Sequence, residues 1–438
     1  MNHAAPRAVS VPSGMSRRTL LQAGLLGVGA PLSTAVAQSP SRRRDTAVIF
    51  LWMCGGPSHL DTLDMKPSAP SEIRSSFGSI RTSLPGLEIC EWMPGHARVA
   101  QRLAVVRSLQ HTQFIHEPAH HWIQTSAPLV AVEPFTQTHP AVGAVAAYSR
   151  RAGRSGMPAY VCLPKPFPQQ GAVSLGARFN AFIAGDPSLP GYQTPELSLP
   201  REVSLERLQK RSSLLSELEL LRHGRSGGDL DSMDQFRRQA FDLVTSLEAR
   251  AAFELEREPA GLRDKYGRHF YGQGMLLARR LVEAGVTFVT VNLGEKELGS
   301  WDDHGDVEKK LRRRLPVFDQ AFAALVEDLS DRGLSERVLV VATGEFGREP
   351  RIDKSNAGRN HWPHAMTAVL SGGGIREGQV VGATTSDGAW VSRSPYAPGD
   401  LLATIYHVLG IHPGEMLPTR DGRPLPILES GRPIKELF

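Results

Sequence analysis

Imidazole and carboxylate side chains are concentrated in five short stretches of this chain. Side chains of these types bind hard or borderline divalent cations, and a bound cation lowers the pKa of water enough to supply hydroxide near neutral pH. Such chemistry cleaves phosphate and sulfate esters. The spacings match no closed metal signature such as His-Glu-x-x-His. The five clusters are Ser58, His59, Asp61 and Asp64; His111, His116, His120 and His121; Asp302, Asp303, His304 and Asp306; Glu345, Arg348 and Glu349; and Asn360, His361, Trp362, Pro363 and His364.

Glu345 is the member of these clusters for which a purely structural role is hardest to find. It lies between Gly344 and Phe346, directly after an apolar run. A buried carboxylate costs free energy unless it is paired, and either Arg348 or a metal ion could pair with it. Arg348 and Arg359 could instead bind an anionic ester, because the guanidinium fork matches phosphate and sulfate oxygens. A surface salt bridge is the alternative for Arg359.

Several other candidates have structural alternatives. Asp302 and His304 could form a hydrogen bond that fixes the conformation of their loop instead of acting as a ligand pair. His364 could have the structural role of ending a strand. His120 and His121 point in different directions on a helix, so at least one of them is expected to be structural or solvated. The side-chain types alone therefore leave the ligand set open.

Three apolar runs predict buried strands of a mostly parallel sheet. Each run is followed by a polar loop, which is typical of α/β proteins. Because ligands of open parallel sheets bind at the carboxyl ends of the strands, the clusters that follow these runs are expected to meet there. The strands are predicted at residues 46–53, 287–292 and 338–343, and helices of period 3.6 at 272–284 and about 309–332.

The amino-terminal segment predicts an export signal. Arg17 and Arg18 precede an uncharged run, and Ala35-Val36-Ala37 fits a cleavage site, so residues 1–37 are expected to be a removable twin-arginine signal. The alternative is a chance arginine pair before a buried helix. The apolar stretch is too short to span a bilayer, which needs about 20 residues. The mature chain is thus expected in the periplasm or extracellular space, without a transmembrane anchor.

Charge and cysteine content exclude some classes of partner and site. The formal net charge is +5, and three of the arginines belong to the predicted signal, which has no acidic residue, so the mature chain is near +2. A nucleic-acid partner is therefore not expected. The three cysteines have no paired spacing, which argues against a disulfide framework and a thiolate zinc site. Cys54 is interpreted as a buried, inert thiol.

The chain beyond the signal is predicted to be one large domain. Residues 45–415 are expected to form a single α/β domain. Residues 202–259 are charged and repeat leucines at helical spacing, which predicts a helical insertion. Residues 416–438 are expected to be a C-terminal extension.

Five short motifs stand in order along the chain: Gly-Gly-Pro-Ser-His-Leu-Asp-Thr at 55–62, Leu-Ala-Arg-Arg-Leu-Val-Glu-Ala-Gly-Val at 277–286, Trp-Asp-Asp-His-Gly at 301–305, Gly-Glu-Phe-Gly-Arg at 344–348 and Gly-Arg-Asn-His-Trp-Pro at 358–363. Together they resemble the exported domain-of-unknown-function family 1501, which is sulfatase-like and belongs with the alkaline phosphatase superfamily. The resemblance implies a doubly wound, mostly parallel sheet with helices on both faces and a helical insertion.

Superfamily enzymes differ from this chain at three points. They place an aspartate at the end of the first strand, where residues 53–55 read Met-Cys-Gly, which leaves Asp61 as a displaced substitute. Their paired Asp-His after a later strand aligns with Glu345 and the phenylalanine that follows it. Their Ser, Thr or Cys nucleophile falls near His116. His116 is therefore the candidate nucleophile or acid, and Arg348 is the candidate group for holding the substrate anion.

The clusters and the resemblance together predict an exported, metal-dependent hydrolase of a sulfate or phosphate ester, with a glycan among its candidate substrates. The ion would be zinc, manganese or calcium. The alternative is a catalytically degenerate envelope protein that keeps the fold as a binding or assembly module. The absent nucleophile favours the alternative, and the histidines at the strand ends favour the enzyme. The predicted metal ligands are Asp61, Asp302, His304, Glu345, His361 and His364, with His59 in support.

Overall fold

A central sheet of eight strands organises the described part of the chain. This computed structural model describes residues 45–129, 134–150, 156–194, 245–294, 298–419 and 422–438, with isolated positions between 206 and 243. The described strands are β1 Ala47–Trp52, β2 Ser79–Arg81, β3 Glu88–Cys90, β4 Ala104–Leu109, β5 Tyr160–Leu163, β6 Phe182–Ile183, β7 Phe288–Asn292, β8 Val338–Thr343, β9 Gly347–Arg348, β10 His361–Trp362, β11 Met366–Gly372, β12 Gln379–Val381, β13 Ala383–Thr384, β14 Val391–Arg393, β15 Met416–Leu417 and β16 Leu425–Pro426. The described α-helices are α1 Pro94–Val99, α2 His116–Thr125, α3 Val142–Arg150, α4 Leu247–Phe253, α5 Ala260–Tyr266, α6 Phe270–Glu283, α7 Val307–Asp331 and α8 Pro398–Leu409.

The sheet is mostly parallel, with β1 near its middle. The strand order is β12-β4-β11-β8-β1-β7-β5-β6. Strand β1 is parallel to both β7 and β8, whereas β11 is antiparallel to both of its neighbours. Trp52 at the end of β1 lies opposite Asn292 of β7 and Thr343 of β8. The carboxyl ends of these three strands are therefore level, and the loops that follow them begin at one edge.

Both faces of the sheet are covered, which explains why β1 is a continuous apolar run. Ile49 and Leu51 pack in a core shared with α6 and α7, while Val48, Phe50 and Trp52 pack in a core shared with α8. Alternate residues of a strand face opposite sides of a sheet, so burial on both sides requires apolar residues throughout. The predicted α/β class, with a mostly parallel sheet and helices on both faces, is confirmed.

The locally predicted elements agree with the structure within two residues. The strands predicted at 46–53, 287–292 and 338–343 are β1, β7 and β8, and the two predicted helices are α6 and α7. The predicted signal at 1–37 and most of the predicted insertion at 202–259 lie outside the described residues.

The C-terminal residues belong to the same packed body as the rest. The described residues from 45 to 438 form one compact unit. Ile427, Ile434 and Leu437 are buried in the core that contains α8. Residues 416–438, expected as an extension, thus contribute side chains to the main core. Within the described ranges, we find no helix with the length and apolar character needed to cross a bilayer.

Candidate metal centre

The loops after β1, β7 and β8 meet at the carboxyl edge of the sheet. Gly55, in the loop after β1, has φ +107°. A Cβ at this position would lie 2.4 Å from the backbone nitrogen of Asp302, so glycine is required for the two loops to come this close. The Gly55 N–H donates to both carboxylate oxygens of Glu345, at 2.8 and 3.0 Å. One backbone amide therefore joins the loop after β1 to the loop after β8.

Glu345 is fully buried and accepts two further hydrogen bonds from helix α2. Its Oε1 lies 2.6 Å from His116 Nδ1 and 3.0 Å from His120 Nε2. Because an ionised carboxylate can only accept, both ring nitrogens donate a proton. Burial raises the pKa of a carboxyl group, but the charges and hydrogen bonds of these two imidazoles outweigh burial and hold the pKa of Glu345 well below its usual range.

A second group surrounds Asp302 and is called the Asp302 cluster below; its members are Asp302, His116, His304 and His361. Asp302 Oδ1 lies 3.0 Å from both His304 Nε2 and His361 Nε2. These two nitrogens are 2.8 Å apart. Asp302 Oδ2 lies 3.4 Å from His116 Nε2. Partial burial raises the pKa of Asp302, but hydrogen bonds from His116, His361 and Arg348 outweigh it and hold that pKa well below its usual range.

The remote nitrogens of the two facing histidines are held by acceptors. His361 Nδ1 lies 2.6 Å from the carbonyl oxygen of Phe114, and His304 Nδ1 lies 3.2 Å from Asn360 Oδ1. Both Nδ1 atoms therefore carry protons. With both rings neutral, the two Nε2 lone pairs would point towards each other and towards the Asp302 carboxylate; a hydrogen bond from His361 to Asp302 requires a proton on Nε2 of that ring. Three acceptors at this distance repel one another unless a proton or a cation lies among them.

The donor atoms fit a divalent cation. Two sets of three side chains are placed so that, within each set, one ligand atom of every side chain lies within 4.8 Å of those of the other two. The first set is His116, Asp302 and His361, and the second is Cys54, His120 and Glu345. Imidazoles whose remote N–H is held by a carbonyl or carboxylate oxygen are the usual ligands of zinc. A thiolate, an imidazole and a carboxylate also suit zinc.

Cys54 and His120 are members of these sets that the sequence alone did not single out as ligands. Cys54 Sγ lies 3.7 Å from His120 Nε2. Two signals could have found them. Cys54 lies two residues beyond the carboxyl end of β1, at the edge where ligands of parallel sheets bind. His120 lies four residues after His116, one helical turn along the same face of α2.

Arg348 is fully buried and serves the loops instead of a substrate. The three guanidinium nitrogens donate hydrogen bonds to oxygen atoms in the loops after β1 and β7 and in a neighbouring turn. No nitrogen of the guanidinium faces solvent. The structure thus differs from the expectation that Arg348 holds an anion, because folding already uses its hydrogen-bonding capacity. Its acceptors are the carbonyl oxygens of Gly55, Gly56, Trp301 and Arg359 and the Oδ1 atom of Asp302.

Asp61 and His364 are not among the groups brought together here. Asp61 accepts hydrogen bonds from Arg359 Nε at 2.7 Å and from Ser58 Oγ at 2.5 Å. All three residues are buried. Burial raises the pKa of Asp61, but the Arg359 guanidinium outweighs burial and holds it below its usual value. The His364 ring stacks on Trp390 with centroids 4.5 Å apart. A buried ion pair and a ring stack replace the predicted ligand roles of these residues.

Buried histidines brace the loops around the site. His59 Nε2 donates to the carbonyl oxygen of Gly388 at 2.9 Å, and His111 Nε2 donates to that of Glu345 at 2.6 Å. His121 Nδ1 donates to a carbonyl oxygen at 2.8 Å, so His121 is the structural member of the His120-His121 pair. These rings hold loops in place through one N–H each.

We expect the stability of the fold to decrease as the pH falls from about 6.5 to about 4. Burial lowers the pKa of His111 to about 4 and the pKa of His121 to about 4. The unfolded chain binds these protons with a pKa near 6.5, so protonation favours unfolding across this window, on the order of 3 kcal/mol for each group. Urea unfolding at several pH values measures the effect.

The variant His121→Gln should lose part of this pH dependence, because it removes one of the two groups. The exposed His407 offers a matched control, and His407→Gln should keep the dependence of the wild type. Equal decreases in all three chains would contradict the prediction.

A family model covers almost all of the described chain. The model described as "Protein of unknown function (DUF1501)" matches residues 45–438. The chain belongs to the DUF1501 family. The match confirms the family that the five motifs resemble, and it extends through the C-terminal residues 416–438. No curated protein matches this DUF1501 chain.

Solved structures resemble this DUF1501 protein at low identity. "Ps i-CgsB in complex with k-i-k-neocarrahexaose" is 11% identical with a TM-score of 0.40, over 84% of this chain and 72% of that one. The phosphonate monoester hydrolase SpPMH from Silicibacter pomeroyi is 11% identical with a TM-score of 0.37, over 89% and 76%. Alkaline phosphatase from the Antarctic bacterium TAB5 is 10% identical with a TM-score of 0.37, over 84% and 98%.

Proposed function

We propose that this DUF1501 protein is an exported, divalent-metal-dependent hydrolase of a sulfate or phosphate ester. The observation that carries the proposal is the approach of Asp302 Oδ1, His304 Nε2 and His361 Nε2 to within 2.8–3.0 Å of one another. Each ring holds its other proton on a separate acceptor, so these three atoms form a ready-made ligand set. Export rests on the twin-arginine pattern of residues 1–37.

His116 is assigned the role of proton donor. Its Nδ1–H is held by Glu345, its Nε2 faces Asp302, and its side chain is 28% exposed. Burial lowers the pKa of His116, but hydrogen bonds to Asp302 and Glu345 outweigh burial and raise it to about 9. Without a bound ion, the ring is therefore positively charged at neutral pH. Its assignment as proton donor rests on the position of Nε2, which faces the Asp302 cluster where the ester would bind. A divalent ion would polarise the ester and lower the pKa of its bound water.

Elemental analysis of the protein purified without chelator tests this proposal. We expect at least one equivalent of zinc, manganese or calcium in the wild type and its loss from Asp302→Asn. Because Asp302 also accepts a hydrogen bond from Arg348, a second variant with a smaller structural cost is His304→Gln, whose side chain is 43% exposed. The control is Asp306→Asn, an exposed carboxylate at φ +51°, a conformation that asparagine tolerates.

An ion lost from both variants but kept by the control would support the hydrolase, and sulfate and phosphate monoesters would then be screened as substrates. Retention of the ion in His116→Gln would separate the proton donor from the ligands. A folded wild type that holds no metal, even after incubation with zinc, manganese and calcium, would contradict the proposal. That result would favour the alternative of an envelope protein that uses this fold for binding or assembly.

A further inference from the structure

Four aromatic rings form a partly exposed patch beside the Asp302 cluster. Phe114, Trp362, His364 and Trp390, called the aromatic patch below, contact one another with ring centroids 4.5–6.2 Å apart. Trp390 is 50% exposed and Phe114 is 43% exposed. Large aromatic side chains gain free energy from burial, so a connected group of them at the surface points to a ligand that covers it.

The patch is joined to the Asp302 cluster through the backbone. The carbonyl oxygen of Phe114 accepts the Nδ1–H of His361 at 2.6 Å. Trp362 follows His361 directly in β10, and His116 begins α2 two residues after Phe114. A substrate whose ester lies at the Asp302 cluster would therefore place its neighbouring atoms near the patch.

Trp390 is held in place before any ligand arrives. Its backbone N–H donates to Thr385 Oγ1 at 3.1 Å, and its carbonyl oxygen accepts from the Thr385 N–H at 2.8 Å. Asp387 Oδ1 accepts from both Thr385 Oγ1 and the Ala389 N–H within the same turn. Trp362 Nε1 donates to the Ala389 carbonyl oxygen at 2.5 Å, which ties the turn to β10. A surface that is ordered beforehand loses little entropy on binding.

We propose that the aromatic patch is a carbohydrate subsite, which binds a sugar ring of the molecule whose anionic ester is held at the Asp302 cluster. The inference rests on the proposed function for the position of the ester. A pyranose presents C–H groups on its face and hydroxyl groups at its edge, so an aromatic face can cover the first while polar groups reach the second.

The surroundings of the patch match this mixed character. Asn360 lies two residues before Trp362, donates to Glu349 Oε2 at 2.9 Å and remains exposed. His304, beside it, is also partly exposed. An acyl chain would instead require a continuous apolar groove, and His364 and Asn360 interrupt the apolar surface here. A sugar ring uses both the aromatic faces and the polar edge.

Direct binding tests the subsite without requiring hydrolysis. The probes are tetrasaccharides of sulfated galactan, sulfated fucan and heparin, the desulfated galactan tetrasaccharide, and inorganic sulfate, titrated by calorimetry into the full mature protein. We expect Trp390→Ala to weaken binding of at least one tetrasaccharide about tenfold and Trp390→Phe to restore most of it. Met416, which is also 50% exposed, supplies the matched control Met416→Ala, whose affinities should equal those of the wild type. Binding of inorganic sulfate should not change in Trp390→Ala.

The possible results separate the subsite from the hydrolase. Trp390-dependent binding of sugars by a protein that retains no metal and cleaves no ester would support the subsite and contradict the proposed hydrolysis. Equal affinities in the wild type and Trp390→Ala, or no binding of any tetrasaccharide by the wild type, would overturn the subsite whatever the metal content.

Discussion

Replacing Arg348 by leucine is expected to lower the free energy of unfolding by about 3–5 kcal/mol. The guanidinium is fully buried and donates to the carbonyl oxygens of Gly56 and Arg359, among others, and to Asp302 at 2.6 Å. Its removal leaves these acceptors without a donor and Asp302 without its cation. Arg348→Lys should recover only part of the loss, because an ammonium group cannot reproduce the planar fork.

Urea unfolding measures this effect, with Arg351→Leu as the control because Arg351 is an exposed arginine three residues further on. The control should unfold as the wild type does. If Arg348 instead held a substrate anion, Arg348→Leu would raise KM and leave the unfolding transition unchanged. That outcome would contradict the structural role described above.

Replacing Glu345 by glutamine is expected to reduce ester hydrolysis at pH 8 by more than about tenfold while the Asp302 cluster keeps its ion. The carboxylate of Glu345 accepts the Nδ1–H of His116 at 2.6 Å and supplies the negative charge that favours the protonated ring. A neutral amide supplies no such charge. The pKa of His116, which is about 9 without a bound ion, should therefore fall towards its ordinary value of 6.5, so that less of the proton donor is charged at pH 8.

Three measurements check this prediction: the hydrolysis rate, the metal content and the titration of the His116 ring by NMR. Glu308→Gln is the control, because Glu308 forms an exposed ion pair with Arg312 and lies on the surface of α7. Loss of every bound ion from Glu345→Gln would make Glu345 a ligand, as predicted from the sequence, and would contradict its assignment as a positioning residue. A decrease from two equivalents to one would identify the Cys54, His120 and Glu345 set as a second metal site.

Residue types alone predicted some of the groups that meet at the site, and they could not distinguish these from other buried carboxylates. His304 and His361 were predicted as ligands with Asp302, and the structure brings the three together; whether they bind an ion stays a prediction. Asp61 looked equally suitable by composition, yet it is paired with Arg359, which is almost 300 residues away in sequence. A carboxylate beside a metal and a carboxylate beside a buried guanidinium have the same local sequence signature. Long-range contacts decide between them.

By itself, the sequence determined the strands β1, β7 and β8, the helices α6 and α7, the edge at which polar loops gather and the family. These follow from hydrophobic periodicity and ordered motifs, which are properties of neighbouring residues. Only the tertiary structure decided three further points. It determined which nitrogen of each histidine faces Asp302, it directed the hydrogen bonds of Arg348 to backbone carbonyl oxygens, and it placed His364 in the aromatic patch. Each of these depends on hydrogen bonds or ring contacts between separate loops, and such partners are set by how the loops pack together, which no local pattern encodes.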